Sequence, residues 1–493
     1  MISRLRTSAN LGGGAALFVA LSFVNALNFV FHLVVARGLP TADYGALAAA
    51  LGVLLVALVP INAFQAVVTA EVSRRSADRS RVILRGLLAK AWLVGLAVIA
   101  LLSVLALPLS RFLHLGQPVV VVLIGFAVLP TMVSLPARSA LLGTLRYRPV
   151  AMALAAGAAV RLGVAWYFAV TGRGVLGGVA ASMFGEGTTA VVLLLAARSH
   201  FDPGAAQTNL AATWKDAASA VAAFSGFWLM TAIDTMLARH YLAGERSGHY
   251  AAAATVSKAV LFLPAVVALV LFPRFARAPD ERAARRLLTA PLAGVAAVGL
   301  AAAGVLWLLG GAVMSTLYGD RYVEAAPVLG VLAVGAALLG VGNVLLQFLV
   351  ARRRRAALLI WGGPIAITLG TLVWHDSVAA IAGLLVAGAA LAAIALYAGS
   401  RAPGPVPVPV TGALVDLTEP SVEVTIVVPF FNAGDRINRT ISRLCRALDE
   451  EALTYEVIAV SDGSTDGGAA SLEAMGPAVR LVSLPTNAGK GQA

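Results

Sequence analysis

Apolar residues run almost unbroken through the first four hundred positions of this 493-residue chain, and shorter runs separated by polar stretches follow. The hydrocarbon core of a bilayer takes about 20 apolar residues per helix. That ruler predicts twelve spans, at about 13–36, 44–70, 86–108, 117–142, 149–171, 174–197, 217–238, 249–273, 287–311, 326–350, 356–375 and 378–398. Arg4 and Arg6 ahead of the first run also fit a signal peptide, but the length of the run and the many spans behind it favour an uncleaved helix. An even number of spans returns the chain to the side on which it started.

Composition agrees: 59% of residues are hydrophobic, 12% are charged and the mean hydropathy is +0.87, which excludes an ordinary soluble domain. The net charge of +13 raises the question of nucleic acid, and the placement of the charges answers it. One side receives Arg4 and Arg6, Arg74 to Arg85, Arg146 and Arg148, Arg198 and Lys215, Arg274 to Arg286, Arg352 to Arg355 and Arg401. The other receives Arg37, Arg111, Arg173, Arg239, Arg246 and Arg321. This asymmetry follows the positive-inside rule, so the basic clusters are topology signals, no nucleic-acid partner is expected, and both termini are expected in the cytoplasm. A single cysteine, Cys445, excludes a disulfide framework and a cysteine zinc site. Arginine far outnumbers lysine in an Ala-, Gly- and Val-rich chain, a composition that points to a GC-rich bacterial gene and hence to a bacterial inner membrane.

The halves echo each other. "VVARGLPTADYGALAAAL" from Val34 and "MLARHYLAGERSGHYAAAAT" from Met236 each carry Ala-Arg leaving a helix, a short polar loop, and a Tyr beside an Ala-rich helix start. The spacing is that of a six-plus-six duplication. Four ionisable residues lie within spans: Arg161 and Glu186 near mid-span, and Asp234 and Lys258 further out. An Arg, Lys or Asp at a helix centre costs about 2.5–3.5 kcal/mol on the insertion scale, so these groups cannot face lipid unpaired. Either they neutralise each other, Arg161 with Glu186 and Asp234 with Lys258, or they line a cavity in which Arg161 or Lys258 meets the diphosphate of a lipid carrier. Asn25, Asn28, His32, Asn343 and Gln347 could line the same cavity or bond between helices.

The segments "ARGLPTADYGALAA" from Ala36, "DTMLARHYLAGERSGHYAAAATVSKAVLFLPAVVALVLFPRFAR" from Asp234 and "LYGDRYVEAAPVLGVLAVGAALLG" from Leu317 resemble the polysaccharide exporters and lipid-linked oligosaccharide flippases of the multidrug/oligosaccharidyl-lipid/polysaccharide superfamily. The resemblance covers about residues 10–400. It implies two six-helix bundles around a cavity that opens alternately to each side, with a lipid-linked oligosaccharide as cargo and membrane lipid around it. A drug exporter of the same superfamily, and an enzyme whose membrane part is only an anchor, are the alternatives.

Residues 401–423 form a Pro-rich linker, "RAPGPVPVPVTGALVDLTEPSVE", between a membrane domain at 1–400 and a soluble domain at 424–493. There "VTIVVPF" from Val424, "YEVIAVS" from Tyr455 and "VRLVSLP" from Val479 predict strands, and Asp435 to Leu448 and Gly467 to Met475 predict helices. Strand and helix in alternation open a doubly wound α/β sheet, with ligands at the carboxyl ends of the strands. "VVPFFN" (Val427 to Asn432), "VSDGSTDG" (Val460 to Gly467) and "NAGKG" (Asn487 to Gly491) resemble, in order, the start of an inverting family 2 glycosyltransferase of the GT-A fold. That resemblance implies a nucleotide sugar as ligand, with Phe431 packed on its base, Asp462 bonded to uracil or ribose, and Lys490 near a phosphate. Ser461 stands where the family usually has its first Asp.

A complete domain of this kind is expected to hold a divalent metal, Mg or Mn, at an Asp-x-Asp, and a later carboxylate as general base. Val424 to Ala493 contain neither the motif nor room for the rest of the sheet, so the chain is expected to stop inside the domain and not to transfer sugar by itself. The expected fold is an all-α polytopic membrane protein with 12 transmembrane helices in two six-helix lobes, followed by an incomplete cytoplasmic α/β domain, GT-A and Rossmann-like.

Overall fold

The computed structural model describes residues 22–74, 77–144, 146–198, 211–242, 244–261, 271, 272, 275, 281–352, 354–402, 424–450, 454–469, 472, 475 and 478–484. The chain divides into two compact units, residues 1–404 and 405–493.

The described part of the first unit is helical throughout. Its helices are Ser22–Gly38 (α1), Thr41–Arg74 (α2), Ala77–Val104 (α3), Ala106–Phe112 (α4), Val119–Gly143 (α5), Tyr147–Val170 (α6), Gly174–Ala197 (α7), Ala211–Tyr241 (α8) and Gly244–Ser257 (α9). Glu281–Leu308 (α10), Gly310–Tyr318 (α11), Ala326–Ala351 (α12), Gly362–Val373 (α13) and Val378–Arg401 (α14) follow. Ten described helical segments are long and apolar enough to cross a membrane, and α1 is a shorter apolar helix. Of the twelve expected spans, the first and the eighth lie only partly among the described residues, and the other ten correspond to these ten segments.

The 3₁₀ stretches Asp320–Ala325 and Arg355–Trp361 and the short helices α4 and α11 fall at or just beyond the ends of expected spans, while a third 3₁₀ stretch, Lys258–Leu261, follows α9 inside the eighth expected span. The 3₁₀ stretches adjoin helix termini, where i→i+3 bonds take up carbonyls that the α pattern leaves orphaned.

In the first half of the unit α5 packs against α2, α3 and α7, and α6 packs against α7. In the second half α12 packs against α10 and α14, and α13 against α14. Between the halves α2 meets α8 and α9. Helix α12 is enclosed, while α10 turns Trp307 and Leu308 outward and α6 does the same with Trp166 and Val170. An apolar exterior is what lipid as solvent requires, since every backbone group is already bonded within its helix.

The described part of the second unit is a small parallel sheet. Its strands are Val424–Phe430 (β1), Tyr455–Asp462 (β2) and Val479–Leu484 (β3), in the order β1-β2-β3, with α15 (Asp435–Glu450) crossing from β1 to β2. Register runs from Val424 opposite Tyr455 to Phe430 opposite Ser461, and from Val457 opposite Val479 to Asp462 opposite Leu484. Phe430, Ile437, Ile441, Val457, Ala459 and Leu472 form its core. The strands fall where "VTIVVPF", "YEVIAVS" and "VRLVSLP" predict them. The helix expected over 467–475 falls partly outside the described residues, and those described there form turns.

Candidate functional site

A glycine crossing builds the first charged group. A Cβ on Gly157 (α6) would overlap Thr189 Oγ1 and sit 2.6 Å from Gly185 O, and one on Gly185 (α7) would sit 2.8 Å from Arg161 Cβ. Only hydrogen at both positions lets α6 and α7 approach this closely. The crossing brings Arg161 next to the turn that carries Glu186, yet the two do not form an ion pair. Arg161 Nη1 donates to Asn28 Oδ1 on α1 at 3.2 Å, and its guanidinium lies 4.0 Å above the Phe31 ring. Glu186 Oε2 instead accepts from Thr131 Oγ1 on α5 at 2.8 Å, and its field reaches both Arg161 and Arg138. Arg138 escaped the reading of the spans; it is embedded in the apolar run Val119–Gly143, two turns beyond Thr131. The Nε atoms of Arg138 and Arg161 are both buried and without a hydrogen-bond partner.

The second group spans both halves of the unit. Asp234 on α8 is completely buried; its Oδ1 lies 3.6 Å from Lys258 Nζ and its Oδ2 accepts from Tyr250 Oη at 3.1 Å. Lys258 also donates to Thr235 Oγ1 at 3.3 Å and keeps 28% of its side chain exposed. Of the two expected ion pairs, the structure forms this one. Tyr44 on α2 places its hydroxyl 3.3 Å from His32 Nδ1 and 3.2 Å from Thr255 Oγ1, and His32 feels both Arg161 and Lys258.

These contacts repeat by half. His32 precedes Arg37 by five residues and Asp234 precedes Arg239 by five; Tyr44 serves the first and Tyr250 the second.

The repeated arginines close one end of the unit. Arg37, at the end of α1, donates to the carbonyls of Thr316 (2.6 Å) and Leu317 (3.0 Å) in the last turn of α11. Arg239, at the end of α8, donates to the carbonyls of Leu113 (3.0 Å) and His114 (2.8 Å) just beyond α4, and to Ala42 O (3.1 Å). Each arginine thus caps, across the halves, a short helix of the other half, Arg37 the one that follows α10 and Arg239 the one that follows α3. The C-terminal carbonyls carry the negative end of the helix dipole and favour a cation there. Arg321 adds bonds to the carbonyls of Ala36 and Arg37. Below them Tyr44, Tyr318 and Tyr322, all fully buried, stack edge to face with centroids 5.3–6.1 Å apart. Sequence alone marked these arginines as sparse charges on the less basic side.

In the second unit the loops after β1 and β2 are tied together. Asn432 N donates to Ser464 Oγ, Thr465 N to Asn432 Oδ1, and Gly434 N to Asp466 Oδ2 at 2.6 Å. The amides of Gly434 and Gly468 hold the Asp466 carboxyl below the ordinary range. Phe431 is 47% exposed beside this junction, and Asp462 is buried at the end of β2. Ser461, at the departure from the family pattern, is buried, and its Oγ accepts from Ser464 N at 3.3 Å. Lys490 lies outside the described residues. Among the described residues no cluster of three His, Cys, Asp or Glu could hold a metal, and both Asp466 oxygens are taken by backbone amides. These residues do not compose a divalent-metal site.

Comparison with solved structures places this helical arrangement. The lipid II flippase MurJ in an inward closed conformation superposes with a TM-score of 0.63 at 11% identity, over 77% of this chain and 86% of that one. A eukaryotic MATE transporter, AtDTX14, gives 0.56 at 15% over 80% and 95%. A MOP superfamily transporter from Pyrococcus furiosus gives 0.58 at 13% over 80% and 94%. The helical unit shares the multi-pass membrane fold of these structures. Residues 34–327 match the family model described as polysaccharide biosynthesis protein, and the chain belongs to that family. Residues 425–493 match glycosyl transferase family 2. No curated protein matches the chain.

Proposed function

We propose that the membrane unit carries a polyprenyl-diphosphate-linked oligosaccharide across a bacterial inner membrane for surface polysaccharide synthesis. The second unit, in this reading, contributes to a nucleotide-sugar-dependent glycosyltransferase on the cytoplasmic face that builds or extends the same glycan. Tethering the two raises the local concentration of enzyme at its lipid-linked substrate.

The observation that carries the reading is Arg161: a half-buried guanidinium in mid-span with its Nε enclosed, held by an amide and an aromatic ring, with no carboxylate paired to it. A cation left uncompensated in a low dielectric is a strong receptor for a diphosphate, and a guanidinium offers it a two-pronged donor set. Lys258, partly exposed and only weakly held by Asp234 at 3.6 Å, supplies a second positive charge, and Glu186 and Asp234 tune the two. In the second unit Phe431 would stack on the nucleotide base, Asp462 would hold its uracil or ribose, and Lys490 would approach a phosphate.

The positive-inside rule makes the end with the arginine clasps the extracytoplasmic one, closed while the basic end receives cargo. Two six-helix lobes would rock about the α2 contacts with α8 and α9 to reverse access.

The test is transport of a fluorescent polyprenyl-diphosphate oligosaccharide in proteoliposomes. Arg161→Ala should lower the rate at least tenfold, and Arg161→Lys by less. Unchanged transport at normal protein levels would sink the reading. Extrusion of a cationic drug that survives Arg161→Ala would favour the exporter reading that the MATE likeness keeps in play.

A further inference from the structure

Arg138 lies five residues before the end of α5, in a span whose other residues from Val119 to Gly143 are uncharged. Its Nε is buried without a hydrogen-bond partner, and no hydrogen bond or ion pair joins it to any described residue. Other arginines of this unit behave differently: Arg37, Arg239, Arg321 and Arg354 each donate to backbone carbonyls, and Arg239 and Arg354 also reach Ser247 and Glu281. The hydroxyls next to it on α5 are directed at backbone, Ser139 donating to Gln65 O and Ser134 to Thr131 O. Glu186 is the charge that acts on it, and that carboxylate is bonded to Thr131.

Depth along the helices orders these groups. Helix α5 ends and α6 begins at the basic end, joined by residues 144–146, and α7 ends there too. At about 1.5 Å rise per residue, Arg138 stands roughly 8 Å from that end, Glu186 roughly 17 Å and Arg161 roughly 21 Å. The two arginines are therefore stacked about 13 Å apart along the axis, too far for one diphosphate to bridge, with a carboxylate between them.

We propose that Arg138 is an entry station for an organic diphosphate, engaged first from the basic end before the anion passes to Arg161, a step that rests on the carrier reading above. Glu186, set between the stations, keeps each arginine's hold loose enough for release. Passage along a chain of sites requires binding strong enough to enter and weak enough to leave.

The experiment uses the full chain in zwitterionic nanodiscs, titrated with farnesyl diphosphate and, separately, with phosphatidylglycerol. Arg138→Ala should weaken farnesyl diphosphate binding five- to twentyfold and Arg138→Lys less than threefold, at unchanged melting temperature. Arg161→Ala is run in parallel. If Arg161→Ala leaves binding intact, the carrier reading falls. If Arg161→Ala weakens binding and Arg138→Ala does not, the entry station alone falls. A loss on Arg138→Ala that is equal for phosphatidylglycerol would make Arg138 a bulk-lipid headgroup site and also overturn the proposal. Should Arg138→Ala fail to fold, Arg138→Gln, which keeps hydrogen-bond donors but no charge, must show the same loss.

Discussion

At the scale of single residues, what decides each role is who neutralises whom. Asp234 has no exposure at all and depends on Lys258, Tyr250 and Thr235, so Lys258→Met leaves a buried carboxylate without its cation. Breaking such a pair costs several kcal/mol when both ions are buried, and because the lysine is 28% exposed we expect on the order of 2 kcal/mol, read as a lower melting temperature in detergent. Asp234→Asn combined with Lys258→Met should recover most of it; an equal loss in the double variant would refute the pairing. Asp466 gives a test by pH. Its folded pKa is depressed by the amides of Gly434 and Gly468, so its contribution to holding the two loops together is complete above the unfolded carboxyl value of about 3.9 and fades as pH falls through the lower folded value. Amide exchange at Gly434 in the full chain should therefore stay protected at pH 5, and still be protected at the unfolded value of about 3.9, losing that protection only as pH falls further through the depressed folded value, whereas Asp466→Asn should lose it at every pH. Arg161, Glu186, Asp234 and Lys258 were visible in the sequence because a charge inside an apolar run stands out. Of the two pairings open from the sequence, Asp234 with Lys258 forms, but Arg161 with Glu186 does not, since Asn28 and Thr131 from other helices take their place, and Arg138 passed unnoticed near the end of a long apolar run.

At the scale of elements, the glycines at the α6–α7 crossing set the position of the first charged group. Gly157→Ala must push Thr189 and the Gly185 backbone away, and overpacking of this kind costs about 1–3 kcal/mol. The same displacement should move Glu186 relative to Arg161 and reduce transport more than stability would predict. Gly163→Ala, on the same helix but with open space at its Cβ, should leave both melting temperature and transport unchanged. The elements themselves were largely legible: hydrophobic runs of span length became helices, and the short apolar runs at Val424, Tyr455 and Val479 became strands within a residue of their expected ends. The short helices α4 and α11 were not legible, because they are shorter than a span and the arginines that cap their ends, Arg239 and Arg37, come from far along the chain.

For the membrane unit taken whole, the repeat reports an exchange. The Ala-Arg and Tyr signature of each half could be read in the sequence, but not that each arginine serves the opposite half: Arg37 reaches the end of α11 and Arg239 the end of α4. A device shared across the halves must come apart when that end opens, which ties these bonds to the transport cycle. Charged hydrogen bonds of this sort, discounted for their exposure, are worth about 1 kcal/mol per clasp. Removing both should therefore raise the population open at that end by roughly ten- to thirtyfold. The reporter is Thr255→Cys in a Cys445→Ser background, since Thr255 bonds Tyr44 beneath the clasps. Arg37→Ala with Arg239→Ala should speed labelling by a membrane-impermeant maleimide from the clasped side by about that factor. Arg285→Ala, whose bonds go to the carbonyls of Arg401 and Ala402 at the end of α14, should leave the rate alone. Equal labelling in the double variant and its parent would mean that the tyrosine stack, and not the arginines, holds this end shut; Tyr318→Ala would then be the variant that opens it, because Tyr318 stacks on both Tyr44 and Tyr322.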